Sequence, residues 1–344
     1  LTTGNLPTPT ITAPDDYFNT VLYSGNSSTQ SITGVNFQPD WTWIKSRSDA
    51  NSHQLYDSVR GATQRLRSDL TDSEDTKTTG LTSFDSDGFS LGLLGGSNGS
   101  GKTYVAWNWL AGGTAVSNTD GSITSQVSAN TDAGCSIATY TGNGTSGATF
   151  GHGLTSSAPD MVIVKRRDST GSWQVYVSDL GATKFLELHS SYQEQTATNR
   201  WNDTAPSSSV VTLGNNSNVN SNGGTYVAYS FASVSGYSKI GSYTGNGSTD
   251  GTYVHCGFRP AFLIVKRTDG GASWYIQDSK RDTFNESDSV VVSDGSFAEG
   301  TEQDKDFLSN GFKLRASDVG GNASGATYIF IAFAEAPFKN ANAR

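Results

Sequence analysis

The chain has 344 residues, a formal net charge of −9, 39 glycines, 11% aromatic residues and only 16% charged ones. Its 23 lysines and arginines are scattered, which excludes the concentrated basic surface that a phosphate backbone requires, so nucleic acid is not an expected partner. No apolar run approaches the roughly 20 residues of a membrane-crossing helix, and 34% hydrophobic residues suffice for packed cores, which argues against disorder.

Taken in chain order, the opening stretch LTTGNLPTPTITAP holds three of the eight prolines, so residues 1–13 read as an extended linker from an upstream segment; a start at Leu1 agrees with a processed chain or a fragment. From residue 14 a set of landmarks begins and recurs. The turn YSGNS (23–27) returns as YTGNG at 140–144 and 243–247. Next comes a strand ending in lysine: FQPDWTWIKSR (37–47), SAPDMVIVKRR (157–167) and FRPAFLIVKRT (258–268). A strand carrying tyrosine follows as QLYDSVRGAT (54–63), QVYVSDLGAT (174–183) and WYIQDSKRDT (274–283). FDSDGFSLG (84–92) matches DFLSNGFKLR (306–315), with SSVVTLG (208–214) as a worn copy. Each unit closes on GKTYVAWNWLA (101–111), GGTYVAYSFAS (223–233) or GATYIFIAFAE (325–335).

Spacing supports a true repeat: the lysines stand 120 and 101 positions apart, and Thr103, Thr225 and Thr327 stand 122 and 102 apart. The boundaries are module 1 at 14–111, a Ser/Thr/Gly-rich linker or extra hairpin at 112–132, module 2 at 133–235, module 3 at 236–339 and a tail at 340–344. Branched and aromatic residues between Gly, Asn and Asp turns predict short strands, with at most one helical turn near 65–69. The expected fold is all-β: three tandem antiparallel β-sandwiches, jelly-roll-like, around a pseudo-threefold axis.

Several motifs carry chemistry elsewhere. GSNGSGKT (96–103) satisfies the P-loop pattern, but a P-loop opens a helix, and here an aromatic strand follows. Lys102 is also replaced by Gly224 and Ala326 in the other copies, so turn composition explains the match. DSDG (85–88) resembles half a calcium loop, yet an Asp-Gly hairpin turn accounts for it. His53, His152, His189 and His255 are too dispersed for zinc; His152 and His255 are expected at equivalent strand edges, where copy 1 has Val35. Asp57, Asp179 and Asp278 recur in shifted registers, without the defined pair that glycosidases need. Lys45, Lys165 and Lys266 are expected to snorkel from a sheet edge or to pair with a carboxylate. Cys135 and Cys256 read as two free thiols. Trp107 and Trp109 align with Tyr229 and Phe231 and look like core, whereas Trp201 and Trp41 are the candidate surface or ligand contacts. No catalytic residue, cofactor or metal ligand is assigned.

YTGNGST, GFRPAFLIVKRTD, DFLSNGFKLR and NASGATYIFIAFAEAPFK resemble a repeat-bearing domain of uncharacterised function found in virion proteins of tailed phages, especially marine and cyanobacterial ones. The resemblance spans about residues 14–339, and NLPTPTI (5–11) is similar to the junction that follows a SPRY-like domain in such proteins. It implies a non-enzymatic structural protein of the virion surface, as tail-fibre, receptor-binding or decoration component. The implied partners are other virion proteins, a host glycan or receptor, and further copies of the chain, as a trimer if it forms a fibre. The alternatives are a carbohydrate-binding adhesin and, further off, a glycan depolymerase.

Overall fold

The structure is a computed structural model and describes residues 8–155 and 157–338, so most of the linker at 1–13 and the tail at 340–344 fall outside the described residues. Strands dominate because segments such as Thr103–Trp109 (TYVAWNW) carry branched or aromatic side chains on both faces, which suits a strand buried on two sides. Among the described residues the α-helical stretches are single turns: Gly95–Asn98, Thr198–Trp201 and Ser217–Asn220. The helical turn expected near 65–69 is absent. Gln64–Arg65 pairs instead with Asp75–Thr76, held by the Arg65 guanidinium on Asp75 and Gln54.

One antiparallel strand order occurs three times: opening, closing, lysine and tyrosine strand. It comprises Phe18–Ser24, Thr103–Trp109, Trp41–Ser46 and Gln54–Asp57 in the first copy. The second has Cys135–Thr141, Thr225–Phe231, Met161–Arg166 and Gln174–Val177; the third has Ser238–Thr244, Thr327–Pro337, Phe258–Arg267 and Trp274–Asp278. The register is common to all, with Tyr23 opposite Tyr104, Tyr140 opposite Tyr226 and Tyr243 opposite Tyr328. In the first and third copies the opening strand is the edge of its sheet. In the second it is covered, because Val116–Asn118 and Ser125–Asn130 form a hairpin whose second strand pairs with Cys135–Thr141.

Each four-strand set is buried on both faces. One face meets a smaller layer: Gln30–Thr33, Gly88–Leu91 and Leu81–Asp85 in copy 1, Ala148–Gly151 and Val210–Leu213 in copy 2, Tyr253–His255 and Gly311–Leu314 in copy 3. A local apolar cluster lies between the four strands and the smaller layer in each set. The opposite faces of all three sheets meet in one common core, where Trp41 stacks on Trp109 at 4.5 Å and on Tyr229 at 4.4 Å, Trp107 meets Phe262 at 5.6 Å and Phe231 meets Phe333 at 5.8 Å. Strand alternation divides the side chains: Val105, Trp107 and Trp109 enter the common core, while Tyr104 and Ala106 enter the local one.

Candidate functional site

The recurrent opening turn lies against the glycine-rich loop that precedes the closing strand. A fully buried asparagine in that loop, Asn98, Asn220 or Asn322, holds it. The Asn220 Oδ1 accepts from the N–H groups of Asn143 and Gly144, and its Nδ2 donates to the carbonyls of Thr145 and Gly214. Asn98 and Asn322 bond the other two turns in the same way. The turn tyrosine stacks on the closing-strand tyrosine, with centroids 5.1, 5.1 and 5.0 Å apart in the three copies, and donates to the carbonyl of Ser97, Val219 or Gly321. The first glycine of the turn is required by close approach: a Cβ on Gly142 would lie 2.5 Å from the Ser221 carbonyl oxygen. The fifth residue takes the left-handed conformation, φ 54° at Ser27 and 72° at Gly144, so serine in copy 1 follows the same path as glycine. GSNGSGKT belongs to this device. A strand follows it, and Lys102 pairs with Asp49 at 2.9 Å.

The three recurrent lysines are fully buried, contrary to the expectation of an exposed sheet edge, because a loop of a neighbouring copy packs over the end of each strand. Lys45 Nζ donates to the carbonyls of Ser46 (2.8 Å) and Ser296 (3.3 Å). Lys165 donates to Arg166, Gly171 and, at 3.1 Å, Thr71, while Lys266 donates to Ala272 and, at 3.0 Å, Ser191. Burial pushes each ammonium down to about 8. The reach is cyclic, from copy 1 to 3, 2 to 1 and 3 to 2. Main-chain bonds repeat it, from Glu299 N–H to the Arg47 carbonyl, Glu74 to Arg167 and Glu194 to Thr268, at 2.8 to 2.9 Å. Arg47 and Arg167 add two-pronged ion pairs to Glu299 and Glu74; Thr268 has no guanidinium, and Glu194 turns to Lys184 at 3.2 Å. Trp173 and Trp274 also donate across the seams, to the carbonyls of Arg67 and Glu187. His53 stands in the corresponding place: its Nδ1 accepts from Trp43 and its Nε2 donates to the Val292 carbonyl, and burial pushes it down to about 3, so it is neutral.

The aspartates sort differently from the sequence expectation. Asp57 and Asp278 are structural equivalents, each buried and paired with an arginine three residues on, Arg60 or Arg281. The Asp57 carboxylate also accepts from the Tyr229 hydroxyl at 2.7 Å, and that of Asp278 from the Trp107 indole at 3.0 Å. Copy 2 has Val177 and Leu180 in these places, and the copy 3 position equivalent by register to Tyr229 is Ile331. Polar and apolar members change together, as desolvated groups must. Asp179 takes no part.

The remaining candidates also serve the fold. Trp201 and Trp41, expected at the surface, are buried at 1% and 2% exposure: Trp201 packs edge-on to Tyr176 in the local core of copy 2, and Trp41 fills the common core between Trp109 and Tyr229. The divergent sequence around Trp201 is a covering loop whose indole points inward. The Asp87 carboxylate accepts from the N–H groups of Gly34 and Asn36, which hold it below its usual range, and Gly88 turns the hairpin at φ 143°. His152 is buried and accepts from Leu154 N–H, whereas His255 ends an exposed strand opposite Gly311, so the two are not equivalent. Cys135 and Cys256 are free, and burial pushes both thiols up, Cys256 to about 12. Among the described residues no group of acidic, histidine or cysteine side chains is arranged to hold a metal.

Clefts remain where opening strands are sheet edges. Ser238–Thr244 is flanked by one of about 400 Å³, lined by Asp179, Lys239, Tyr253 and His255, and one of about 380 Å³, lined by Asp179, Leu180, Glu194 and Thr268. A third, of about 310 Å³, lies between Phe18–Thr20 and Ser279–Lys280. Sequence reasoning missed them because an unpaired edge leaves no residue signature.

Together these features define an all-β protein of antiparallel sandwich sheets on a common core, in which the repeated polar motifs hold turns and seams. The chain belongs to the DUF7483 family, a domain of unknown function that matches residues 13–337. No curated protein and no solved structure matches it.

Proposed function

We propose that the chain is three tandem β-sandwich modules of one internal repeat, closed about a pseudo-threefold axis, and that this body is a non-enzymatic structural component of a tailed-phage virion surface. Its place there is in a tail fibre, a receptor-binding part or a decoration. The carrying observation is the cyclic seam, in which each buried lysine is satisfied by a loop of the neighbouring copy. Conserving such interior polar groups rigidifies the body, while its outer loops remain free to vary. The virion setting comes from the resemblance of the repeat to phage particle proteins, and the partners proposed are other virion proteins and further copies of the chain. A glycan-binding reading loses the two tryptophans expected to make its contacts, since Trp41 and Trp201 are interior.

The experiment is mass spectrometry and immunogold labelling of gradient-purified, salt-washed particles. Recovery of the protein in fixed proportion to the major virion proteins supports the proposal. Its presence in the lysate but absence from washed particles refutes it.

A further inference from the structure

The edge strand Ser238–Thr244 has an occupied counterpart in the same chain. In copy 2 the equivalent strand Cys135–Thr141 carries Ser125–Asn130 on its outer side. Antiparallel strands point alternate peptide groups to either side, and Gly245 N–H bonds Ala326, so Ser238, Ile240, Ser242 and Thr244 face outward. The start of this edge is already closed, with Ser238 bonded to Val234 and Ile240 N–H to Ser233 Oγ. The Thr244 carbonyl accepts from Thr252. Among the described residues nothing bonds the N–H or C=O of Ser242, which lines both flanking clefts. By register its counterpart is Thr139, which pairs with Gln126.

A second correspondence lies beside it. In copy 2 the Ser125 hydroxyl of the added strand donates to the Gly151 carbonyl at 2.7 Å. In copy 3 the Lys239 ammonium donates to the His255 carbonyl at 2.9 Å. Gly151 and His255 each end the smaller-layer strand of their copy. A lysine over an open edge is a common guard against indiscriminate pairing.

We propose that Ser238–Thr244 accepts one further antiparallel strand donated by another polypeptide, centred opposite Ser242. The donor has small alternating side chains of the kind in Ser125–Asn130 (SQVSAN). Asp179, Leu180 and Glu194 wall the far side, so the edge is recessed. A single strand enters it, while the equally recessed edge of a second copy does not. Glu194 is already paired with Lys184, and Lys239 lines the other cleft, so a donor with little charge suits these walls. This inference stands apart from the virion proposal and needs no assumption about where the protein works.

The test uses a fluorescein-labelled peptide of residues 122–133 (SITSQVSANTDA) added to the intact chain and followed by fluorescence anisotropy. Saturable binding is expected, at least about tenfold tighter than for a scrambled peptide, since register-matched main-chain bonds contribute about 1 kcal/mol each and tenfold needs about 1.4. Ser242→Pro removes the outward N–H without touching the ladder to the closing strand, and should leave melting unchanged while weakening binding at least about tenfold. Lys239→Ala uncovers the His255 carbonyl and should tighten binding; it provides a test in a second, independent variant. Absence of saturable binding to the parent chain overturns the proposal, as does unchanged binding by a folded Ser242→Pro protein.

Discussion

Replacing Asn220 by alanine would remove two accepted hydrogen bonds, from Asn143 N–H at 2.8 Å and Gly144 N–H at 3.2 Å, and two short donated ones, to Thr145 at 2.9 Å and Gly214 at 3.0 Å, together with a long one to Asn143 Oδ1 at 3.5 Å, from a fully buried side chain. Three of the partners lie in the turn, where water recovers part of the loss, at about 0.5–1 kcal/mol each. The Gly214 carbonyl is buried, and leaving it unpaired costs about 1–3 kcal/mol more. The expected loss is therefore about 3–5 kcal/mol. Asn220→Asp separates shape from bonding: it keeps the size and the acceptor but turns a second oxygen toward two carbonyls. At pH 7 it should be no more stable than the alanine variant, and protonation in acid should recover part of the difference. Urea unfolding followed by tryptophan fluorescence measures both. An alanine loss below about 1 kcal/mol, or an aspartate variant as stable as the parent, would refute the assignment of Asn220 as the holder of the turn.

Because the three sheets share one core, thermal unfolding should be a single transition, and Asn220→Ala should move the whole of it; two resolved calorimetric peaks would contradict this. Gly245→Ala places a Cβ 2.4 Å from the Ala323 carbonyl oxygen and should cost about 2–3 kcal/mol, whereas Gly325→Ala meets open space and should cost only the left-handed penalty of about 1–2 kcal/mol, a ranking that urea midpoints decide. Asp57→Val alone removes one of the two carboxylates that pair with the buried Arg60 guanidinium, leaving Glu74, and should cost about 3 kcal/mol, while Asp57→Val with Arg60→Leu and Tyr229→Ile copies the apolar set at Val177, Leu180 and Ile331 and should recover part of it. A triple variant no better than the single one would show that the sets are not interchangeable. Finally, Lys45, Lys165 and Lys266 titrate at about 8 when folded against 10.5 in the open chain. Between those values the unfolded state holds more protons, so their contribution to stability is complete only above 10.5 and is lost as pH falls through 8. Buried tyrosines such as Tyr229, whose pKa is raised by burial, oppose this above about pH 10. Denaturation midpoints should climb from about pH 7.5 to about 9.5, and a flat or falling profile would count against buried, charged lysines.

Motif equivalence could be followed in the sequence because each copy repeats the same landmarks in the same order, and the structure pairs Tyr23, Tyr140 and Tyr243 with the closing tyrosines in one register; the order of the strands within each sheet could not be read, because the landmarks do not say which strands pair. The alternation of TYVAWNW also announced a strand, though not that its two faces enter different cores. What lay hidden is what the copies do to one another. A lysine at the end of a strand looks exposed within its own repeat, and only the loop of another repeat, about 75 to 250 positions away, buries it. The same blindness misplaced Trp201 and Trp41, since a divergent or strand-initial tryptophan carries no mark of what packs over it. The coupled change of Asp57, Arg60 and Tyr229 to Val177, Leu180 and Ile331 was written in the sequence, but it is readable only when partners are taken from neighbouring copies.

The direction of the lysine seams bears on how such a chain can arise and be altered. Each repeat lends an ammonium to one neighbour and a set of carbonyls to the other, so a chain shortened by one repeat leaves a buried charge with part of its shell missing and a loop with nothing to cover. One such stretch taken alone would expose the face that its sheet turns to the common core and would leave its lysine without the carbonyls of the next stretch.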